Sequence, residues 1–222
     1  LEDGETVSVP LDRVYWLSND NFLAYLALAP HRPEASCAIA WAMRRYDASG
    51  NSRFDVLDGR RIGAPPPAMR VEVVDVAGGR AVLTEVPGEV LPDWRDYADL
   101  ALLAALDASL AGDGNEARHL YRHVVGMWDG NGLKDRAAEA SGLYETYKLA
   151  LLVLASRVTG DELPDGAEAL LWSLQAPSGG LHTHYDAEGN PQGFTNTETT
   201  ALAVLAYDTS TATRLRCPLP RR

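Results

Sequence analysis

Four acidic residues recur where the apolar, helix-like segments of this chain begin: Asp20, Asp99, Glu145 and Glu198. The last three are 46 and 53 residues apart, and the first interval of 79 residues contains a Val-rich stretch of different character. If these segments are parallel helices, their first turns lie at one end of the fold and the carboxyl groups surround a shared hollow. Paired carboxyl groups in a hollow act as general acid and base, and glycoside hydrolysis is the best-known use.

A structural role is the alternative for each of these acids. Asp and Glu are favoured in the first turn of any helix, because they complement the helix dipole for about 0.3–1 kcal/mol each. Glu198 also fits a capping box, since Thr195 and Glu198 form the T-x-x-E pattern. We therefore expect convergence of the acids if they are catalytic, and dispersal if they are only caps.

A second group of candidates is His182, Thr183, His184 and Tyr185. In an extended segment both imidazoles lie on one face, which suits a proton-transfer pair or a metal. The sequence offers no clear third ligand, so we predict no metal and no cofactor, and we expect the histidines to contact substrate. Tyr185 is a candidate acid or base of the kind some polysaccharide lyases use. We predict further substrate contacts from these residues around the same hollow: Asn19, Asp99, Tyr147 and Asn196.

A third motif is the acidic, Gly-rich segment from Asp129 to Asp135. Its alternating Asp and Asn resemble a Ca²⁺ loop, but Ala140 stands where the closing bidentate glutamate of an EF-hand is required. We interpret the segment as an Asx-Gly turn.

The elements that must position these residues are mostly helices. Val-rich segments bounded by Gly and Pro predict a small β insertion within residues 50–90, with a hairpin turn at Gly78-Gly79. Helices are predicted from the Asn19–Asn21 cap to about Ala29 and over residues 34–45, 97–110, 116–127, 144–158, 165–174 and 197–207. Strands are predicted at Arg53–Leu57, Arg70–Val76 and Ala81–Val86.

Two segments of the chain repeat one pattern. Gln175, Gly179-Gly180-Leu181 and Thr197 to Leu202 have a fainter copy in Trp128, Gly132-Leu133 and Thr146. This pattern resembles the α/α-toroid superfamily, which includes terpenoid cyclases, protein prenyltransferases and six-hairpin glycosidases. The resemblance, which covers roughly residues 94–208, implies a mainly α fold, a toroid or partial toroid of helical hairpins. We predict one such domain over residues 1–222.

The catalytic motifs of that superfamily decide between its activities. No D-x-D-D or D-D-x-x-D motif is present, and the zinc ligands of the prenyltransferases cannot be matched. A carbohydrate-active hydrolase or lyase using Asp20, Glu145 or Glu198 is therefore the first hypothesis. A non-catalytic helical-repeat module that binds a glycan, peptide or partner protein is the alternative, and a terpenoid-cyclase-like protein is a distant third.

Composition limits the partners. The net charge of −11 and the isoelectric point near 4.8 argue against nucleic acid and anionic membranes, and no apolar run is long enough to span a bilayer. A single disulfide between Cys37 and Cys217 is one alternative, with free thiols the other. Localisation stays undecided, with secretion expected if a leader precedes Leu1, and an incomplete toroid would favour oligomerisation.

Overall fold

The computed structural model describes residues 14–45, 53–76 and 80–207. About half of these residues are helical and 17% are in strands. The helices are α1 (Ser18–Leu28), α2 (Pro33–Arg45), α3 (Ala98–Leu110), α4 (Gly114–Val125), α5 (Arg136–Ser141), α6 (Thr146–Thr159), α7 (Ala167–Ser173) and α8 (Thr197–Tyr207). The strands are β1 (Val14–Leu17), β2 (Met69–Val76), β3 (Arg80–Pro87), β4 (Tyr144–Glu145), β5 (His182–Tyr185) and β6 (Pro191–Thr195), and short 3₁₀ helices span Phe54–Asp58 and Trp94–Asp96.

Four helices form the core. Helix α6 packs between α3 and α8, α8 packs on α1, and the 3₁₀ helix Phe54–Asp58 contacts both α1 and α3. Because α3 and α6 are apolar on most faces, they are buried almost throughout. Leu102, Leu103, Leu151 and Leu152 are fully excluded from solvent, and burial of each such side chain contributes about 1.5–3 kcal/mol.

Outer helices cover three of the core helices: α2 packs on α1, α4 on α3 and α7 on α6. Helix α4 shows why an outer helix takes this place. Its buried residues Ala117, Leu120, Tyr121 and Val124 follow helical spacing and form one apolar stripe. Asp113 caps its start by accepting a hydrogen bond from the backbone N–H of Glu116.

Two three-stranded sheets join the helices. In the first, β2 and β3 form an antiparallel hairpin and β1 runs parallel to β3. The second sheet is antiparallel in the order β4-β5-β6, with Glu145 opposite His184 and His182 opposite Thr195. Because β4 leads directly into α6, and β6 is followed by α8 after Asn196, this sheet fixes the starts of two core helices next to each other.

The prediction of an α/α toroid, whole or partial, is wrong. The described residues contain only three core helices paired with an outer helix, and the outer helix α7 has just seven residues. The second sheet was not predicted: its strand β5 (HTHY) alternates half-buried and buried side chains, whereas β6 (PQGFT) is exposed throughout. The molecule is a mixed helix and sheet fold.

The individual elements compare more favourably with the sequence analysis. The predicted strands at residues 70–76 and 81–86 are confirmed, and α8 has the predicted bounds. The predicted strand Arg53–Leu57 is wrong: the segment is a 3₁₀ helix that buries Phe54 and Val56 and ends at Gly59, whose φ of 74° suits glycine. The turn at Gly78-Gly79 and the thiol of Cys217 lie outside the described residues.

The helices also bear on the membrane question. Among the described residues, none of the helices combines the length and the apolar character that crossing a bilayer requires.

Candidate acid–base site

Three of the four predicted acids share one environment. Burial of the guanidinium is the largest single effect on the pKa of Arg53 and lowers it, but the neighbouring negative charges, Asp99 and Glu198 among them, together outweigh burial and raise the pKa. Burial also raises the pKa of Tyr147, and Asp99, Glu145 and Glu198 add to that rise. Since these acids begin α3, α6 and α8, the first turns of three core helices meet around Arg53 and Tyr147.

Asp99 is held by Arg53. The Nη1 atom of Arg53 donates a hydrogen bond to Oδ2 of Asp99 at 3.2 Å, and Asp99 is 5% exposed. The guanidinium also lies 5.0 Å from the centre of the Phe54 ring, a cation–π contact. Arg53 therefore attaches the 3₁₀ helix Phe54–Asp58 to the start of α3 and neutralises one carboxylate of the cluster.

Lys148 is the buried cation of the group. It is 3% exposed, its Nζ donates to Oδ2 of Asp135 at 2.7 Å, and it forms an ion pair with Glu145, three residues earlier. Burial alone would lower its pKa, but the neighbouring carboxylates Asp99, Glu145 and Asp135 raise it above its usual value. Lys148 therefore stays charged at any working pH.

Asp135 connects Lys148 to the backbone. It is 2% exposed, and its Oδ2 also accepts a hydrogen bond from the N–H of Ala98 at 2.9 Å, while its Oδ1 accepts from the N–H of Ala138 at 3.0 Å. One carboxylate thus caps both α3 and α5. Sequence reasoning missed this role. The available signals were an Asp before an Ala-rich helical stretch, and Lys148 within an otherwise apolar helix.

Glu145 is a partly exposed carboxyl group of the cluster, as is Glu198. Its side chain keeps 20% of its exposure, and as the residue before α6 it makes no capping hydrogen bond. Burial raises the pKa of Glu145, the positive charge of Lys148 partly offsets this rise, and Asp99 and Asp135 reinforce it. A carboxyl group with a raised pKa remains protonated at higher pH, which is the requirement for a general acid.

Glu198 lies at the start of α8, beside α1. The Nδ2 atom of Asn19 donates a hydrogen bond to Oε1 of Glu198 at 3.4 Å, and Asn19 is buried. Asp20 follows Asn19 in the first turn of α1 and is half-buried. Because α1 packs on α8, Asp20 and Glu198 belong to neighbouring helix starts, and their roles remain predictions.

The predicted capping box of α8 is wrong. Thr195 belongs to β6, and the residue that caps α8 is Asn196, whose Oδ1 accepts a hydrogen bond from the N–H of Thr199 at 2.8 Å. The backbone N–H of Thr199 is therefore capped by Asn196 and not by Thr195. The capping box is thereby excluded as the role of Glu198, whereas its favourable interaction with the helix dipole in the first turn of α8 remains the structural alternative.

The two histidines lie on one side of β5, as the alternation predicts. His182 and His184 are half-buried, whereas Thr183 and Tyr185 between and after them are buried. The Nδ1 atom of His182 is 3.2 Å from the carbonyl oxygen of Gly193, and Nδ1 of His184 is 3.0 Å from Oγ1 of Thr183. Since His184 pairs across the sheet with Glu145, it lies beside this partly exposed carboxyl group.

In the part of the chain that the structure describes, no group of three or more His, Cys, Asp or Glu side chains is placed to bind a metal ion, at the histidines or elsewhere.

Tyr185 lies on the other side of the sheet. It is fully buried, and its ring stacks on Tyr144 with 5.3 Å between the ring centres. The hydroxyl of Tyr144 donates a hydrogen bond to Oδ2 of Asp129 at 2.5 Å. Burial raises the pKa of Tyr185, with the neighbouring Tyr144 and Asp129 as further causes. A buried, stacked phenol has no access to a substrate, so Tyr185 is not a candidate acid or base.

Asp129 also forms the turn that the sequence predicts. Its Oδ1 accepts hydrogen bonds from the N–H groups of Asn131 at 2.9 Å and Gly132 at 3.0 Å, which is an Asx-type turn.

A surface depression of about 390 Å³ lies elsewhere, lined by Asp96, Met127, Lys134, Asp135, Arg136 and Glu139. It shares only Asp135 with the acid cluster. We therefore place the candidate site at the partly exposed side chains of Glu145, Tyr147, His184 and Glu198, and not in this depression.

Comparisons of the chain with protein-family models, curated proteins and solved structures found no match. Any function must therefore be argued from the chemistry of the site.

Proposed function

We propose that the protein is a carbohydrate-active enzyme, a glycoside hydrolase that cleaves a neutral glycan at the meeting point of α3, α6 and α8. The observation that carries the proposal is Glu145, a partly exposed carboxyl whose pKa burial raises, within the same group of charges as Glu198. Hydrolysis of a glycosidic bond needs one protonated and one ionised carboxyl group.

Each carboxyl has a role in this reaction. Glu145 donates its proton to the leaving glycosidic oxygen. Glu198, oriented by Asn19, acts as the base that activates water or as the nucleophile, and Asp20 on the adjacent helix α1 is the alternative for that second role. Asp99 is neutralised by Arg53, so it supports the site without taking part in proton transfer.

The partly exposed residues around these carboxyls contact the sugar. His184 faces Glu145 across the sheet, and His182 lies two residues before it. Tyr147 and Asn196, at the starts of α6 and α8, complete the set. Imidazole, phenol and amide groups suit hydroxyl recognition because each both donates and accepts hydrogen bonds.

The charge balance favours a neutral glycan over an anionic one. Five acidic side chains (Glu85, Asp99, Asp135, Glu145 and Glu198) act on the two cations Arg53 and Lys148, and the whole chain carries −11. A polyuronate would be repelled by this field. Because Tyr185 is also buried, hydrolysis is favoured over the elimination that a polysaccharide lyase performs.

A non-catalytic module that binds a glycan, peptide or partner protein is the second candidate, and a specific observation favours it. The most buried members of the cluster are paired: Asp99 with Arg53, and Asp135 with Lys148. Such pairs fix helix starts whether or not chemistry takes place. In that case Glu145 and Glu198 would hold the surface in shape without transferring protons.

A hydrolysis screen separates the two candidates. Release of reducing ends is measured from neutral polysaccharides (xylan, mannan, β-glucan, chitin and starch) with wild-type protein, Glu145→Gln and Glu198→Gln. The control is Glu168→Gln, at an exposed glutamate on α7. We expect hydrolysis of one polysaccharide class, a fall of about 10²–10⁴-fold in each site variant and wild-type rates in the control. Thermal stabilisation by a sugar without hydrolysis would support the binding module. The absence of both hydrolysis and stabilisation would contradict both candidates.

A further inference from the structure

Lys148 is a charged side chain within the apolar core helix α6. It is 3% exposed, and residues 149–153, which follow it in the helix, are apolar and buried. Removing an ammonium group from water is costly unless the charge is paired and hydrogen-bonded. The contacts of Lys148 therefore indicate the role of the buried charge.

Three groups lie close to this ammonium group. Its Nζ donates a hydrogen bond to Oδ2 of Asp135 at 2.7 Å and forms an ion pair with Oε2 of Glu145. It also lies 5.8 Å from the centre of the Tyr147 ring, a cation–π contact. Because an ammonium group has three N–H donors, one lysine can bind both carboxylates at the same time.

Both cations of the cluster have a carboxylate partner besides Glu145. Arg53 is paired with Asp99, and Lys148 with Asp135. While Glu145 is protonated, the charges of the Lys148–Asp135 pair balance, and once Glu145 is ionised, one ammonium group faces two carboxylates. The ammonium group therefore lies where the charge of Glu145 changes during acid catalysis.

Several elements contribute titratable and charged groups around Glu145 and Lys148. Those on α6 itself, on α3, before α5, on β5 and on α8 are Tyr147, Asp99, Asp135, His184 and Glu198. Lys148 favours ionisation of Glu145, whereas Asp99 and Asp135 oppose it. Because Lys148 affects the pKa of Glu145 more than either of these acids does, loss of the ammonium charge should keep Glu145 protonated to higher pH.

We propose that Lys148 is the positioning residue of the site: Asp135 holds its ammonium group beside Glu145, where it stabilises the carboxylate that forms when Glu145 gives up its proton. The catalytic consequence rests on the proposed function. In that reaction the proton of Glu145 goes to the glycosidic oxygen, and the bond from the anomeric carbon breaks with its electron pair on that oxygen. Lys148 keeps its own proton throughout. A charge fixed in advance where new charge develops lowers the barrier.

Nitrogen NMR of the lysine side chains tests this coupling without a substitution at Lys148. The chain contains two lysines, Lys134 and Lys148, so protein labelled with ¹⁵N at the lysine Nζ atoms gives two ammonium signals. Their chemical shifts are followed between about pH 3 and pH 8 in wild type and in Glu145→Gln. We expect the Lys148 signal to move as Glu145 titrates and this movement to be absent from the variant. The exposed Lys134 is the internal control, with one profile in both proteins.

Kinetics tests the catalytic consequence. Lys148→Met removes the charge, so kcat/KM on the cleaved oligosaccharide should fall about 10²-fold and its decline at high pH should move to higher pH. Lys148→Arg keeps the charge and should keep the wild-type pH profile. If Lys148→Met does not fold, the double variant with Asp135→Asn removes both partners of the buried pair, a change that proteins often tolerate, and the same movement is expected. A purely structural role would lower the rate without moving the decline.

The outcomes separate the inference from the proposed function. Identical Lys148 profiles in wild type and Glu145→Gln would refute the inference, even if the wild type hydrolyses a glycan. A Lys148 signal that follows Glu145 in a protein that cleaves no glycan would refute the hydrolase and support the coupling of the two side chains. A high-pH decline that stays in place after removal of the charge would refute the role of Lys148 in proton transfer.

Discussion

The Nζ of Lys148 lies 2.7 Å from the carboxylate of Asp135, deep in the protein. Asp135 at the same time accepts the N–H groups of Ala98 and Ala138, so one ion pair ties the starts of α3, α5 and α6 together. Glu145, the proposed acid, pairs with the same ammonium group. The buried ammonium group of Lys148 therefore contributes both to the packing of the helices and to the candidate site.

Lys148→Met should be strongly destabilising. The substitution keeps the length of the side chain but leaves the buried carboxylate of Asp135 without its cation, which costs about 3–5 kcal/mol of unfolding free energy. The control Arg122→Met breaks an exposed pair with Asp161, where about 0–1 kcal/mol is expected. Urea unfolding at neutral pH measures both. Equal losses of unfolding free energy in the two variants would show that the buried pair stabilises the protein no more than the exposed pair does.

Asn196→Ala should destabilise α8 more than Thr195→Ala. Asn196 accepts the capping hydrogen bond, so its truncation costs roughly 1 kcal/mol, whereas Thr195 has an exposed side chain in β6 and its loss should cost a few tenths. Thermal unfolding of the two single variants gives the comparison. The opposite order would restore the capping box.

The cap of α8 also shows how far the sequence can predict this fold. Long apolar runs located α3, α6 and α8, because helices that are buried on most faces consist mainly of apolar residues. They could not identify the cap, since Thr195 and Asn196 are both good N-cap residues and only the pairing of β6 with β5 assigns Thr195 to the strand. The same missing long-range information made the second sheet resemble hairpin loops and led to the toroid.

The candidate site was partly predictable for the same reason. Acids at helix starts are visible in a sequence, and Asp99, Glu145 and Glu198 do lie in one electrostatic environment. Arg53, the partner of Asp99, lies 46 residues before it in the chain, and Asp135, the partner of Lys148, lies 13 residues before that lysine. No local pattern links residues across such intervals, so the charge compensation was not anticipated.

Asp107→Asn should reduce the amount of stability that the protein loses as the pH is lowered. Burial alone would raise the pKa of Asp107, but hydrogen bonds from Arg61 and from the N–H of Ile62 outweigh it and lower the pKa. Stability from a lowered carboxyl pKa is present above its ordinary value near 3.8 and is lost as pH falls through the folded value.

Urea unfolding between about pH 7 and pH 3 is the measurement. The variant should be less stable than wild type at neutral pH and should lose less stability on acidification. Parallel profiles for the two proteins would show that Asp107 does not contribute to acid sensitivity.

Gly132→Ala should disturb the tyrosine pair beneath the site. A Cβ at Gly132 would lie 2.6 Å from both Cγ of Tyr144 and the hydroxyl oxygen of Tyr185, so the stacked rings must move at a cost of about 1–3 kcal/mol. At the control position Gly114 a Cβ meets only the flexible end of Arg118 at 3.6 Å. The near-ultraviolet circular dichroism of Gly132→Ala should change and that of Gly114→Ala should not. Unchanged tyrosine signals in both would contradict the packing.

The most direct test of the account is the dependence of Glu145→Gln on the leaving group. A general acid matters for a poor leaving group and little for a good one, so the variant should lose about 10²–10⁴-fold in kcat/KM on the oligosaccharide that the wild type cleaves and remain near wild type on the 2,4-dinitrophenyl glycoside of the same sugar. The decline of wild-type kcat/KM at high pH, which reports ionisation of Glu145, should disappear in the variant. Equal losses on both substrates, or an unchanged high-pH decline, would contradict the assignment of Glu145 as the proton donor.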